Sequence, residues 1–226
     1  MVNFDKIYCF FEKSGTFKNE FIKKGYKAFD VDIKYTSNVD YCCDLFSEII
    51  RAYRCETSIF DTITENDLIL AFFPCIRFTQ RMNPMYKMRR GLDDISMLER
   101  NVRFMDETAN LYSVFNKLFI VCARRNLKLV VENPYRADGF LARYFAFEPD
   151  YIDFNRCLHG DNFEKPTQFF FYGFKPELNI DFLCVENVIV KRIVNCSTLQ
   201  RSLITSVYAS WFIDNLLGVK SSEKEN

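Results

Sequence analysis

The sequence predicts one α/β domain whose central strands are buried on both faces, and three stretches predict it. Asp67-Leu68-Ile69-Leu70-Ala71-Phe72-Phe73-Pro74-Cys75 is an apolar run opened by an acid and closed by a proline. An unbroken run of this length, bounded by turn signals, reads as a strand covered on both sides. Proline has no N–H for the ladder, so pairing stops there and Cys75 is delivered to the strand's carboxyl end. Leu127-Lys128-Leu129-Val130-Val131 repeats the arrangement and ends in Glu132-Asn133-Pro134. The third stretch is the opening strand–turn–helix–strand unit, of about the βαβ length.

In that unit Lys6 to Phe11 reads as a strand and Glu12 to Thr16 as a turn. Phe17 to Lys24 is a short amphipathic helix that Gly25 is placed to stop. Tyr26 to Ile33 is the second strand, closed by Asp30-Val31-Asp32. In nucleotide-binding α/β proteins the first turn admits backbone to the ligand, and an acid after the second strand accepts ribose hydroxyls. Gly15 is the turn's lone glycine, so it serves either such an approach or simply a helix start. Asp32 is either a ribose acceptor or a solvated strand-end acid.

Val39 to Cys43 is a short third strand, and Leu45 to Tyr53 a helix that Asp44 either caps or leaves for a ligand amino group. The central run follows. Ile76 to Gly91 then carries Arg77, Arg81, Lys87, Arg89 and Arg90 among Phe78 and Tyr86, a stretch suited to phosphates and stacked bases or to a solvated face. Asp94 to Arg125 is the longest helical pattern, with Met97, Phe104, Leu111, Val114, Leu118 and Val121 at spacings near three and four. Beyond Pro134 the pattern is irregular through Phe154, and His159 to Thr167 reads as a polar loop. Gln168 to Tyr172 is an aromatic strand, Cys184 to Val194 a short strand or hairpin, and Ser197 to Leu217 an amphipathic helix. Residues 1–219 are thus expected to form one domain, and 220–226 a charged, frayed tail.

Hydrophobic residues make up 49% of the 226, enough for a sizeable core, and the formal net charge is zero. No global field therefore draws the chain to nucleic acid or membrane, and any such contact needs a local basic patch. No run reaches membrane-spanning length and no signal pattern opens the chain, so a soluble cytoplasmic protein is expected. Nine cysteines without regular spacing, no C-x-x-C pair and a lone histidine, His159, predict neither a disulfide scaffold nor a metal site. Most of the cysteines read as small buried hydrophobes; Cys75, after a proline at a strand end, is the exception.

In chain order stand Phe11-Glu12-x-Ser14-Gly15, Gly25-Tyr26-x-Ala28-x-x-x-Asp32 and Asp44. Asp67-x-Ile69-x-x-x-x-Pro74-Cys75, Glu132-Asn133-Pro134, Lys165-Pro166-Thr167 and Arg201-Ser202 follow. This series resembles the S-adenosylmethionine-dependent cytosine-5 DNA methyltransferases, above all their short phage-type relatives. The resemblance runs over residues 8 to 213. It implies a Rossmann-like methyltransferase fold, a mostly parallel seven-stranded sheet with helices on both faces. It also implies that Cys75, presented by Pro74, adds to carbon 6 of cytosine, and that Glu132 holds and protonates ring nitrogen 3. Asn133 would orient the loop or the base edge.

By the same resemblance Phe11, Glu12, Ser14, Gly15 and Thr16 belong to the S-adenosylmethionine site, with Asp32 on the ribose and Asp44 near the adenine. Arg77, Arg81, Arg136, Lys165 and Thr167 are the expected substrate contacts. A cytosine in DNA would have to be flipped out or single-stranded to reach Cys75. The chain departs from the family in three places. Its first turn is poorer in glycine, and Lys165-Pro166-Thr167 stands where an arginine motif is usual, although lysine is a point donor and arginine a fork. Gly173 to Asn195 is also too short for a separate DNA-reading domain, so sequence specificity would be poor, borrowed from a partner or dimer, or irrelevant because the substrate is not duplex DNA. Two other readings use the same residues: a methyltransferase-fold binding protein without catalysis, and the same thiol addition on a nucleotide or RNA pyrimidine.

Overall fold

A computed structural model describes residues 3–34, 39–79, 93–177 and 203–218. Seven strands form one sheet: β1 (Lys6–Phe10), β2 (Lys27–Asp32), β3 (Tyr41–Cys42), β4 (Leu68–Phe72), β5 (Lys128–Pro134), β6 (Tyr151–Asp153) and β7 (Thr167–Tyr172). Their order is β3-β2-β1-β4-β5-β7-β6. β3, β2, β1, β4 and β5 pair in parallel, whereas β7 pairs antiparallel with both β5 and β6. The sheet is therefore mixed. From β1 the chain moves outward to β2 and β3, then crosses back to β4 on β1's other side. Such a reversal opens a crevice at the carboxyl ends of the two middle strands, where open α/β sheets take their ligands.

The unbroken apolar runs follow from cover on both faces. Tyr8, Phe10, Ile69, Ala71, Leu129 and Val131 point to one side, against α2 (Leu45–Tyr53) and α4 (Asp94–Arg124). Ile7, Cys9, Leu68, Leu70 and Val130 point to the other, against α1 (Thr16–Lys23) and α6 (Ser206–Leu216). Side chains alternate along a strand, so a strand packed on both sides needs an apolar residue at every position. Each Leu, Ile or Phe so buried contributes about 1.5–3 kcal/mol. Two short helices complete the description, α3 (Ile76–Thr79) after the central strand and α5 (Phe140–Tyr144) after β5.

Helix starts are set by side-chain caps. Asp44 accepts from Phe46 N at 3.1 Å, Asp93 from Ser96 N at 2.8 Å and Thr205 from Tyr208 N at 3.1 Å. Phe104, Val114, Leu118 and Val121 form the buried stripe of α4, but its first turns run past the core and leave Ile95, Leu98 and Val102 exposed.

Some elements differ from expectation. The final helix begins at Ser206, where Thr205 supplies the cap; the part of the expected helix over 197–202 lies outside the described residues. β5 does not stop at Val131 but runs through Glu132, Asn133 and Pro134, because these residues pair with Phe169, Gln168 and Thr167 of β7. The expected loop over His159 to Thr167 is anchored inside: Arg156 and Asp161 form a buried ion pair, and His159 Nδ1 lies 2.8 Å from Asp153 Oδ2. Arg81, the 184–194 strand, Arg201 and Ser202 lie outside the described residues. Among those described, no helix is long and apolar enough to cross a membrane.

Candidate active site

The first turn is built around Glu12. Phe11 leaves β1 with φ of 60° and is held there by its N–H on Val31 O at 2.9 Å. That backbone region is costly for a residue with a Cβ. Glu12 then turns inward and is only 6% exposed. Its Oε1 accepts from Ser14 Oγ and from Phe17 N, both at 3.0 Å, so the carboxylate caps α1 at its positive end. Its Oε2 is buried without a hydrogen-bond partner. Gly15, the residue before the helix, has φ of 71°, a conformation that favours glycine.

Outside the carboxyl ends of β1, β2, β4 and β5 lies a pocket of about 460 Å³, a volume usual for small-molecule sites. Phe11, Glu12 and Ser14 line it from the first turn, and Asp32 and Asp44 from the second and third strand ends. Pro74 and Cys75 line it from the end of β4, Glu132 from β5, and Lys165 from the loop before β7. Gly15, Thr16, Asn133, Arg77, Arg136 and Thr167 are not among its walls.

The pocket has a feature the sequence reading missed, an aromatic wall. Phe11, Phe46 and Phe73 pack as a triangle, with ring centroids 5.6, 5.3 and 5.8 Å apart. Phe46 sits on α2 and Phe73 at the end of β4, so only the fold brings them together. Lys13 and Lys34 also line the pocket. Asp44 both caps α2 and faces the cavity, so its two readings are compatible.

Glu132 and Asn133 are neighbours on β5 and take opposite faces. Glu132, 7% exposed, reaches the pocket, and its Oε1 has no hydrogen-bond partner. Asn133 is fully buried and donates from Nδ2 to Phe73 O at 3.0 Å, fixing the residue before Pro74-Cys75. Gln168 of β7 donates to Pro134 O at 3.1 Å and steadies the same strand end. Cys75 is half-buried, and no disulfide joins the described cysteines.

The expected substrate contacts divide. Lys165 is in place. Arg77 instead pairs with Glu107 and lies over the Phe104 ring at 5.2 Å, and Arg136 Nε donates to Asp138 Oδ1 at 3.2 Å. Both guanidinium groups are drawn to nearby acids. Thr167 is buried in β7, donating to Lys165 O at 3.1 Å. It shapes the Lys165 loop from behind.

Behind Glu12 lies Asp30, fully buried on β2. Reactive atoms of Cys9, Glu12 and Asp30 all lie within 4.8 Å of one another. Lys18 Nζ on α1 is 3.2 Å from Asp30 Oδ2 and 3.1 Å from Asp40 Oδ2. Burial first, and then the Glu12 charge, raise the Asp30 carboxyl from 3.8 to about 8. Burial likewise pushes the Cys9 thiol well up. The sequence signal for Asp30 was faint: an acid two places before Asp32, inside an otherwise buried strand.

An acid with an orphaned buried oxygen, two further acids and a ring-lined wall form a container suited to a ligand with a planar ring and a separate positive charge. Cys75, Glu132 and Lys165 border the same space. No protein-family model matches the chain, and no curated protein does.

Proposed function

We propose that this chain is an S-adenosylmethionine-dependent methyltransferase acting on carbon 5 of cytosine in DNA. The observation that carries the reading is that Cys75 and Glu132, from different strands, border one pocket with Glu12, Ser14, Asp32 and Asp44. The fold reading is correspondingly a Rossmann-like methyltransferase fold, supported by the strand-order reversal beside that pocket.

The chemistry follows from the weakness of carbon 5 as a nucleophile. The Cys75 thiolate adds to carbon 6 while Glu132 donates a proton to nitrogen 3, and the ring becomes an enamine able to attack from carbon 5. S-adenosylmethionine, when bound, supplies the electrophilic methyl group. Loss of the proton from carbon 5 then expels the Cys75 thiolate and restores the aromatic ring. Asp32 and Asp44 suit the ribose and adenine, the Phe11–Phe46–Phe73 wall suits the base's face, and Glu12 suits the cationic end. A duplex cytosine would have to leave the stack to reach Cys75.

DNA carrying 5-fluorocytosine tests this directly, because fluorine at carbon 5 cannot leave as a proton and the thioether stays closed. With S-adenosylmethionine present, the wild type gives a covalent adduct and Cys75→Ser gives none. Cofactor binding without any adduct would sink the catalytic reading and leave a binding protein. The same addition on a nucleotide or RNA pyrimidine is a second reading, favoured by the pairing of Arg77 with Glu107 and of Arg136 with Asp138. An adduct with a fluorinated nucleotide or RNA, and none with DNA, would establish it.

A further inference from the structure

We propose that Asp30 is a positioning residue for the pocket: it shares one proton with Glu12, and a cationic ligand seated against Glu12 expels that proton. The inference rests on the reading of the pocket as an S-adenosylmethionine site and deepens it with a mode of regulation.

The geometry comes first. Asp30 is 0% exposed and Glu12 6%, and their carboxyl oxygens fall in the cluster whose atoms lie within 4.8 Å of one another. Glu12 Oε1 is committed to Ser14 and Phe17, while Glu12 Oε2 and Asp30 Oδ1 are buried without a hydrogen-bond partner and Asp30 Oδ2 has only the Lys18 ammonium at 3.2 Å. Charged and titratable groups reach this cluster from every side. They are Cys9 on β1, Lys18 on α1, and Asp40 on the segment before β3. Cys9 stays a thiol. Fully ionised, Glu12 and Asp30 would set two negative charges against the one ammonium of Lys18, which Asp40 also shares, so charge balance favours one retained proton. Two carboxylates in one dry site do not both ionise readily, and the fully buried one, Asp30, keeps the proton.

Asp30 itself never touches ligand. It acts through Glu12, whose side chain lines the pocket and lies beside the buried acid. Without a cation, the proton on Asp30 leaves the pair a single negative charge beside Lys18, and Glu12 keeps its place as the cap of α1. When a positive charge arrives at Glu12, it replaces the proton, which leaves to the buffer. Affinity for a cation then rises with pH, by up to about tenfold per pH unit for one whole proton. The rise flattens above about pH 8, where Asp30 has already lost its proton. A neutral thioether in the same pocket gains much less.

Calorimetric titration of the full chain with S-adenosylmethionine and with S-adenosylhomocysteine tests this, in two buffers of different ionisation enthalpy. The wild type is expected to release more proton with the sulfonium than with the thioether. Asp30→Asn is expected to remove that difference, leaving only the ligands' own titration. Equal release by wild type and Asp30→Asn would overturn the inference while leaving the cofactor reading intact. If neither ligand binds at any pH, the cofactor reading falls and this inference with it. Should Asp30→Asn fail to fold, infrared spectra of the ligand-free wild type decide. A buried protonated-carboxyl band present at neutral pH and lost as pH passes about 8 supports the shared proton, and its absence overturns it.

Discussion

The side-chain amide of Asn133 donates to the carbonyl of Phe73 across 3.0 Å, joining the end of β5 to the turn that carries Cys75. Both groups are buried, so neither finds water if the other is removed. Asn133→Ala is expected to cost about 1–3 kcal/mol in urea unfolding, since it orphans a carbonyl and opens a small void. It should also slow adduct formation on 5-fluorocytosine DNA more than it weakens S-adenosylmethionine binding, because it loosens Pro74-Cys75 and lines no part of the pocket. An equal loss in both would mean that Asn133 merely supports the fold.

Asp30 makes a prediction about stability without any ligand. Its carboxyl titrates near 8 in the folded chain and near 3.8 in an unfolded one. Below about pH 4 both states hold the proton. Between about pH 4 and about pH 8 the folded state holds it and the unfolded state does not, so stability falls as pH rises, and above 8 the loss is complete. Asn mimics the protonated acid and does not titrate. The melting temperature of Asp30→Asn relative to wild type is therefore expected to climb across that window and level off above it. A difference that stays flat or declines contradicts the shared proton.

Buried pairing at the far sheet edge gives a larger effect. Arg156, 1% exposed, has Asp161 as its ion-pair partner and lies over the Tyr208 ring at 5.0 Å. Removing one partner of a buried pair strands the other charge. Asp161→Ala is expected to cost about 3–5 kcal/mol in denaturant unfolding. Asp138→Ala, which deprives the half-buried Arg136 of an exposed partner, should cost less than about 1 kcal/mol. Similar losses for the two would place Arg156 in contact with water.

Those contrasts mark what the sequence could convey. α2 was legible to the residue because a capping acid, Asp44, stands at its start and the apolar spacing is helical. The central strand was legible because cover on both faces forces every position apolar. The start of α6 was not, since the apolar pattern runs back beyond Thr205 and only the cap's hydrogen bond marks the boundary. The length of β5 depended on β7, thirty-odd residues away, which continues the ladder past Val131. His159 to Thr167 reads as solvent-loving because its residues are polar. His159 and Asp161 are nonetheless inside because Asp153 partners His159 and Arg156 partners Asp161, a tertiary property invisible in composition. In the site, strand-end residues such as Cys75, Glu132 and Asp32 were readable from position alone. Asp30 and the Phe46–Phe73 contact required the fold.

Phe11 gives a prediction in which backbone and side chain pull apart. Its φ of 60° costs a residue with a Cβ about 1–2 kcal/mol, a cost glycine does not bear. Its ring also forms part of the pocket wall, against Phe46 and Phe73. Phe11→Ala loses the ring and keeps the strained backbone, whereas Phe11→Gly loses the ring and relaxes it. Phe11→Gly is therefore expected to be the more stable by about 1 kcal/mol in urea unfolding. Phe46 lies in the first turn of α2, where the order should reverse and Ala should exceed Gly by up to about 1 kcal/mol. All four variants should bind S-adenosylmethionine several-fold more weakly by calorimetry, because each removes one side of the aromatic wall. If Phe11→Gly is the less stable at position 11, the left-handed turn is wrong and Glu12 is not presented as described. If affinity survives the loss of either ring, the base does not lie on that wall.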